Sequence, residues 1–440
     1  MDALPIYNSS MSKLVSVLAL CLAAVSNLLA ATHAEKIDSL LAAYHKQRYF
    51  NGSALVAEKG QVIFRKGYGL ANMEWDIPNA PDTKFRLGSI TKQFTSMVIM
   101  QLVSEGKIKL DEKITTYLPD YRKDTGDRVT VRHLLTHTSG IPSYTGLPGF
   151  FQKKSRDPYT VDAFVKEYAS GDLEFDPGSK FAYDNSGYFL LGAMIEKITG
   201  KSYADAVKER IFDPLGMKDS GYDRFDTVLP KRASGYALTP NGYVNAPYLD
   251  MSIPYAAGSL YSTVEDLYKW DRALYGDKLL SAELKKTMFT PMLQNYAFGW
   301  AVRPLKLDDQ KTEVATIGHN GELAIANYKK SLELNPKNDN GAERLKRLEA
   351  PAQPKPDAAT LDKYLGTFEL RPGFNITFTR EGDKLFSQAT GQPKFEMAAD
   401  SPTEFHPLAF RARIVFATDG STLTLYQGGA EITAKRVAGK

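Results

Sequence analysis

The sequence predicts an α+β chain with a separate all-β C-terminal part, and three observations predict it. The run Gln93–Glu105 holds Phe94, Met97, Val98, Ile99, Met100, Leu102 and Val103 with scarcely a polar gap, the mark of a helix buried all round. Gly52–Glu58 and Gln61–Arg65 flank a Lys59-Gly60 turn, the pattern of a β-hairpin. From 358 onward, short alternating strands with Gly-bearing turns suggest a small antiparallel barrel or sandwich. The 440 residues, 43% hydrophobic, suffice for two or three domains with ample core. Net charge is only +4 and no basic stripe is visible, which argues against a nucleic-acid partner.

At the N-terminus, the apolar run Leu14–Ala31 follows Lys13, and Thr32-His33-Ala34 places small residues before Glu35. Residues 1–34 therefore read as a secretory signal peptide, starting from Met1 or Met11 and cleaved near Ala34. The expected fate is export, periplasmic or secreted, with no integral membrane span in the mature chain. Cys21, the single cysteine, lies in this leader. The mature chain is expected to need no disulfide and to be neither a thiol enzyme nor a Cys-ligated zinc protein.

Along the mature chain, Ile37–Arg48 reads as an amphipathic helix and precedes the hairpin. Gly88-Ser89 marks the start of the buried helix and Gly106 its stop. Lys92 falls one turn from Ser89 on the same face, so its amine can reach the hydroxyl. A serine at a buried helix start, beside a lysine that burial pushes toward its basic form, has the makings of an activated nucleophile. Alone the pattern is loose, since Ser10-Met11-Ser12-Lys13 repeats it in the leader, and Ser89 could equally begin a core helix. His133 and His137 stand four apart, a zinc-pair spacing, but no glutamate follows His133 and no third ligand suggests itself. They read as hydrogen-bonded helix-end histidines, and no metal or cofactor is expected.

Asp176-Pro177-Gly178 is a turn, Lys180–Tyr183 a short extended piece, and Ser186–Ile198 a helix ending at Gly200. Tyr183-Asp184-Asn185 thus sits between strand and helix, where side chains can be aimed into a cleft. Tyr243-Val244-Asn245 has similar letters without an apolar helix behind it and reads as a loop. Ser262-Thr263-Val264-Glu265 reads as a capping box opening a helix through Trp270 and Leu274. Tyr296–Val302 and Val314–Gly321 read as two strands of a late hairpin.

With Ser89-x-x-Lys92, Tyr183-x-Asn185 and His319-x-Gly321 in that order, the chain resembles the serine β-lactamase and penicillin-binding superfamily, most closely class C β-lactamase-like hydrolases and esterases. Phe85–Lys92, Leu134–Gly140 and Pro214-Leu215-Gly216-Met217 match as well, and the resemblance covers Ile37–Gly321. It implies a β-lactamase/transpeptidase-like fold: an antiparallel sheet flanked by helices, beside a helical subdomain. It also implies acyl transfer without metal or cofactor on a small-molecule or peptide substrate. Ser89 would attack a carbonyl while Lys92 and Tyr183 share the general-base work. Asn185 and His319 would contact the substrate, and the backbone N–H groups of Ser89 and Glu322, after Gly321, would form the oxyanion hole. His319 stands where penicillin-recognising relatives carry a lysine for the substrate carboxylate. A histidine near its ordinary pKa is only about a quarter charged at pH 7, which tilts the expectation toward an esterase, amidase or small-peptide hydrolase.

After Gly321 the superfamily pattern breaks. Two further strands and a closing helix are expected between the His319 strand and the N-terminal hairpin. Instead, Ala324, Tyr328, Ser331 and Pro336 fall at offsets of a tetratricopeptide repeat. One half-repeat has no neighbour to stack on, so 323–349 is expected to pack as a helix on the main domain or to form a weak protein contact. The domain reading is therefore 35–322 hydrolase lacking its last strands, 323–349 repeat-like helix, 350–357 Pro-rich linker and 358–440 β domain, where no catalytic constellation is visible. The rival reading is a catalytically silent binding protein, with the segment after Gly321 discriminating: a rebuilt sheet favours the enzyme, a gap the rival.

Overall fold

The computed structural model describes residues 33–239, 242–306, 313–320, 357–371, 373–391, 394–399, 401–407, 412–427 and 430–437. Residues 1–32, which hold most of the leader expected from the sequence, the expected site residues Gly321 and Glu322, and the expected 323–349 helix and Pro-rich linker through Pro356 lie outside them. The described residues divide into two compact units: one runs up to Gly235 and resumes at Ala246, and the other holds Tyr236–Asn245 with the residues from Asp357 onward.

In the first unit, helix α1 (33–46) precedes strands β1 (Gly52–Glu58) and β2 (Gln61–Tyr68), which pair antiparallel through the predicted turn with a bulge at Val56/Ala57. A small ribbon follows, β3 (Leu70–Asn72) with β4 (Ile77–Pro78). Strand β5 (Phe85–Arg86) leads into a 3₁₀ turn at Gly88–Ile90 and then helix α2 (Thr91–Ser104). Helix α2 is buried almost throughout, as its unbroken apolar run demands, and stops at Gly106, where the Lys107 N–H bonds the Leu102 carbonyl. Helix α3 (Val131–Leu135) is short, and α4 (Asn185–Thr199) ends on left-handed Gly200 as predicted.

Strand β6 (Gly221–Tyr222) comes next in the chain. The hairpin of β7 (Tyr236–Thr239) and β8 (Gly242–Asn245) belongs to the second unit, so Tyr243–Asn245 lies on a strand and not in the predicted loop. Strand β9 (Leu260–Ser262) sits between β5 and β6 in a three-stranded antiparallel sheet. Helix α5 (Val264–Ala273) is capped by Thr263, which accepts from the Asp266 N–H, so the cap falls one residue later than predicted.

Core packing centres on α2. Phe94 stacks on Trp270 at 4.4 Å, and Trp270 lies near-parallel to Trp300. Gly299, with φ +78°, lets its turn press onto α2: a Cβ there would meet the Lys92 carbonyl oxygen at 2.7 Å and Ser96 Oγ at 2.8 Å.

Two sequence readings need correction. Lys180–Tyr183 joins no ladder, holding to its neighbour only by scattered bonds such as Ala182 N–H to the His137 carbonyl, because strand-like letters need a partner in register. The late hairpin begins only at Ala301, with β10 (Ala301–Lys306) paired to β11 (Glu313–Gly318). Among the described residues, this hairpin and the β1–β2 hairpin remain separate two-stranded sheets. The two hairpins do not pair directly among those residues.

The second unit contains β12 (Gly366–Arg371), β13 (Phe374–Glu381), β14 (Lys384–Ala389), β15 (Phe395–Ala399), β16 (Glu404–Pro407), β17 (Arg413–Phe416), β18 (Thr422–Gln427) and β19 (Ala430–Arg436). Successive antiparallel pairs close when β19 meets β12 at Phe368/Arg436, so the fold is a barrel and not a sandwich. Its interior is aromatic, with Phe368, Phe378 and Phe405 around Phe416, on which Tyr364 stacks at 4.4 Å. Among the described residues no helix is long and apolar enough to cross a membrane.

Candidate active site

The chain reaches Ser89 through left-handed Gly88, and the 3₁₀ turn sets the serine at the foot of α2. Lys92, fully buried, points its Nζ at three oxygens: Ser89 Oγ at 3.1 Å, Asn185 Oδ1 at 2.8 Å and the Ala257 carbonyl at 2.9 Å. The Asn185 and Ala257 oxygens can only accept. As an ammonium, Lys92 donates to all three oxygens; once neutral, it spends its two N–H groups on the oxygens that only accept and turns its lone pair to the Ser89 hydroxyl, the arrangement a general base needs.

Residues one turn apart on α2 hold the segment that supplies that carbonyl. Thr95 Oγ1 donates to the Ala256 carbonyl at 2.7 Å, and Thr91 Oγ1 accepts from the Leu260 N–H at 3.2 Å. Asn185, at the start of α4, is fixed from the other side. Its N–H donates to Ser143 Oγ and one Nδ2 hydrogen to Thr145 Oγ1, each at 3.0 Å. The second Nδ2 hydrogen remains for a ligand by donor inventory.

Tyr183 is partly exposed, and Lys92 Nζ lies over its ring, 4.9 Å from the centroid. Beneath that ring is His137, at 4.3 Å between centroids. Asp184 turns inward, where burial pushes its carboxyl up to about 7, and its Oδ2 accepts from Ser139 Oγ at 3.1 Å.

His319, just beyond β11, is half-buried, and its protonation can be deduced from its partners. Nδ1 lies 2.7 Å from the Asn320 carbonyl, which only accepts, so Nδ1 carries the proton. Nε2 is then an acceptor, and the Tyr296 hydroxyl donates to it at 3.0 Å. Burial drives the His319 pKa down to about 3, the Lys92 charge and, more weakly, the Arg303 guanidinium push the same way, and the bond to the Asn320 carbonyl opposes them. At neutral pH this histidine is uncharged and both its nitrogens are occupied.

Ser89, Tyr183, Asn185 and His319 line one cleft of about 590 Å³, a size suited to a small ligand. Three distant motifs are therefore brought together, with Lys92 at the floor. Gly321 and Glu322 lie outside the described residues. His133 and His137 are indeed bonded at helix ends: Thr130 N–H donates to His133 Nδ1 at 3.2 Å, and Asp184 N–H to His137 Nδ1 at 3.0 Å. Sequence reasoning missed the Ala257 carbonyl, Tyr296 and Arg303. A carbonyl carries no letter, and in the sequence Tyr296 reads as one residue of a strand.

A family model described as Beta-lactamase matches residues 35–366. The chain belongs to the beta-lactamase family. The resemblance read from three short motifs is thus borne out, and the match runs past Gly321 through the repeat-like stretch. Penicillin-binding protein 4* of Bacillus subtilis (strain 168) is 29% identical, across 91% of this chain and 98% of its own length. That alignment, 459 residues long, exceeds the 440 of this chain, so the relative carries segments without a counterpart here. Teichoic acid D-alanine hydrolase of Staphylococcus aureus is 29% identical over 61% of this chain and 66% of its own. Among solved structures, D-amino acid amidase from Ochrobactrum anthropi SV3 superposes with a TM-score of 0.55 at 27% identity, covering 66% of this chain and 85% of that one. The octameric penicillin-binding protein homologue from Pyrococcus abyssi gives 0.57 at 24% identity, over 87% and 95%, a likeness of fold alone. Within the beta-lactamase family, this chain is of the serine-hydrolase kind.

Proposed function

We propose that the protein hydrolyses an ester or amide through an acyl intermediate on Ser89. The observation that carries this is Lys92: fully buried, with two oxygens that only accept and the Ser89 hydroxyl 3.1 Å away. Ser89 Oγ attacks the carbonyl carbon while its proton passes to the Lys92–Tyr183 pair. The bond to the leaving group breaks, the departing oxygen or nitrogen takes that proton, and water then cleaves the acyl-serine. Asn185 offers its remaining Nδ2 hydrogen to the substrate. Ser89 N–H is one oxyanion donor, and Glu322 is assigned the other from the sequence.

A preference within this class follows from the charges. His319 is neutral, and Arg303 lines the cleft as a permanent cation among aromatic walls from Tyr144, Phe151, Phe181 and Tyr296. The favoured substrate is a small aminoacyl ester, amide or peptide with an apolar group near the scissile carbonyl and an acidic group within reach of Arg303. The names of the D-alanine hydrolase and the D-amino acid amidase are in keeping with aminoacyl chemistry. Steady-state kinetics on paired nitrophenyl esters, one neutral and one bearing a carboxylate, test this. Arg303→Gln is expected to raise KM about tenfold for the acidic ester alone, the loss of one charge-assisted contact. Equal KM changes for both esters would remove Arg303 from recognition. Rapid turnover of a chromogenic cephalosporin would replace the whole preference with a β-lactamase.

One observation favours a second reading, a catalytically silent protein that holds its ligand in the same cleft. Among the described residues β10–β11 pairs with no other strand, so within them no sheet braces the hairpin leading to His319. Tight retention of a peptide or ester without any acyl-enzyme would support that reading.

A further inference from the structure

His137 is buried in the unit core and takes no part in the reaction proposed above. It adopts a left-handed backbone with φ +56°, a conformation that costs a bulky residue about 1 kcal/mol or more and persists only where surroundings enforce it. Here the conformation turns both the carbonyl and the ring of His137 toward one short segment. The His137 carbonyl accepts the Ala182 N–H at 2.9 Å, and its Nδ1 accepts the Asp184 N–H at 3.0 Å. The residues on either side of Tyr183 are thus fastened to His137, while the Tyr183 ring packs on the imidazole at 4.3 Å. Because 180–183 belongs to no sheet, these contacts replace the ladder that would otherwise fix its path.

The imidazole is itself held. It lies against Tyr188 at 5.1 Å, Tyr296 at 4.7 Å and Phe181 at 5.9 Å, which leaves little room to turn. Burial depresses its pKa well below the ordinary value, which keeps Nδ1 free to accept. Among the described residues its Nε2 is buried without a hydrogen-bond partner. A side chain kept for its own hydrogen bonds would not leave half of them unmade.

We propose that His137 is a positioning residue for Tyr183, setting the phenol above Lys92 for proton transfer with Ser89. The inference rests on the acyl-serine reading. The two neighbouring N–H groups fix the backbone of Tyr183, and the imidazole face fixes its ring. A displacement of about 1 Å in a proton-transfer group costs on the order of 10²-fold in rate.

The test is a double-mutant cycle read by kcat and KM on a nitrophenyl ester. Tryptophan-fluorescence melting scores the folded fraction. His137→Ala is expected to lower kcat about 10²-fold with KM little changed. His137→Asn should recover most of that loss, because Asn places an acceptor near Nδ1 and tolerates the left-handed conformation. His137→Phe, which keeps a ring but no acceptor, should stay low. On a Tyr183→Phe background, His137→Ala should add no further loss, since the hydroxyl it positions is already gone. Should His137→Ala not fold, the Asn and Phe variants carry the comparison on their folded fractions. A wild-type rate in folded His137→Ala, or Asn and Phe variants of equal rate, overturns the inference. So does an undiminished loss on the Tyr183→Phe background. Absence of turnover in wild type would instead bring down the acyl-serine reading, and this inference with it.

Discussion

Lys92→Met slows acylation of Ser89 by about 10³-fold, the middle of the range for a lost general base. Methionine fills much of the same buried volume but cannot take a proton, so the nucleophile must attack as a neutral hydroxyl. The substitution also leaves Asn185 Oδ1 and the Ala257 carbonyl without the donor now at 2.8 and 2.9 Å. Two buried acceptors without donors cost a few kcal/mol of stability, about 1–3 each. Acylation should therefore be measured as a single-turnover rate with a chromogenic ester, on protein shown by melting to be folded. A folded Lys92→Met variant acylating within about tenfold of wild type would transfer the base role to Tyr183 alone.

The largest stability effect is expected at Asp223. Its carboxylate is fully buried and holds two guanidinium groups, Arg86 Nε at 2.5 Å and an Arg232 terminal nitrogen at 2.6 Å. Both cations also flank the Phe225 ring, at 5.1 and 6.0 Å. Arg86 lies on β5, three residues before Ser89, so the triad ties the nucleophile's approach strand to β6 and its following loop. Asp223→Ala removes the shared anion and leaves two cations facing each other, which costs about 3–5 kcal/mol. The tryptophans, Trp75, Trp270 and Trp300, all belong to the first unit, so fluorescence-detected urea unfolding reports that unit alone. A change below about 1 kcal/mol would mean that solvent screens the arginines, which are 22% and 27% exposed, well enough to make the triad decorative.

Local features were the ones legible in the amino-acid letters. Helix α2 could be read from an unbroken apolar run with a glycine at its end, and α4 from Gly200, because each signal lies within a few turns. The first hairpin was legible because its turn and alternation are adjacent. The candidate site was legible in part: Ser89 and Lys92 are one turn apart, and Tyr183 and Asn185 flank a helix start. What escaped was set by contacts distant in the chain. The Ala257 carbonyl reaches Lys92 across 165 residues and has no side chain to mark it. His137 looked like a helix-end histidine, and its left-handed backbone follows from packing against 182–184 that no local propensity encodes. The turn at Asp176-Pro177-Gly178 suggests an extended piece over Lys180–Tyr183, but a ladder needs a partner in register, and among the described residues it has none. His319 reads as partly charged from its ordinary pKa, whereas burial above all holds it neutral.

The central claim, that Ser89 is an activated nucleophile, is tested most directly by intact-mass analysis after exposure to a fluorophosphonate. The expected result is the mass of a single phosphonyl group added to wild type, and none added to Ser89→Ala under the same conditions. An unmodified wild-type protein with a folded far-UV spectrum, or an equal adduct on Ser89→Ala, would contradict it.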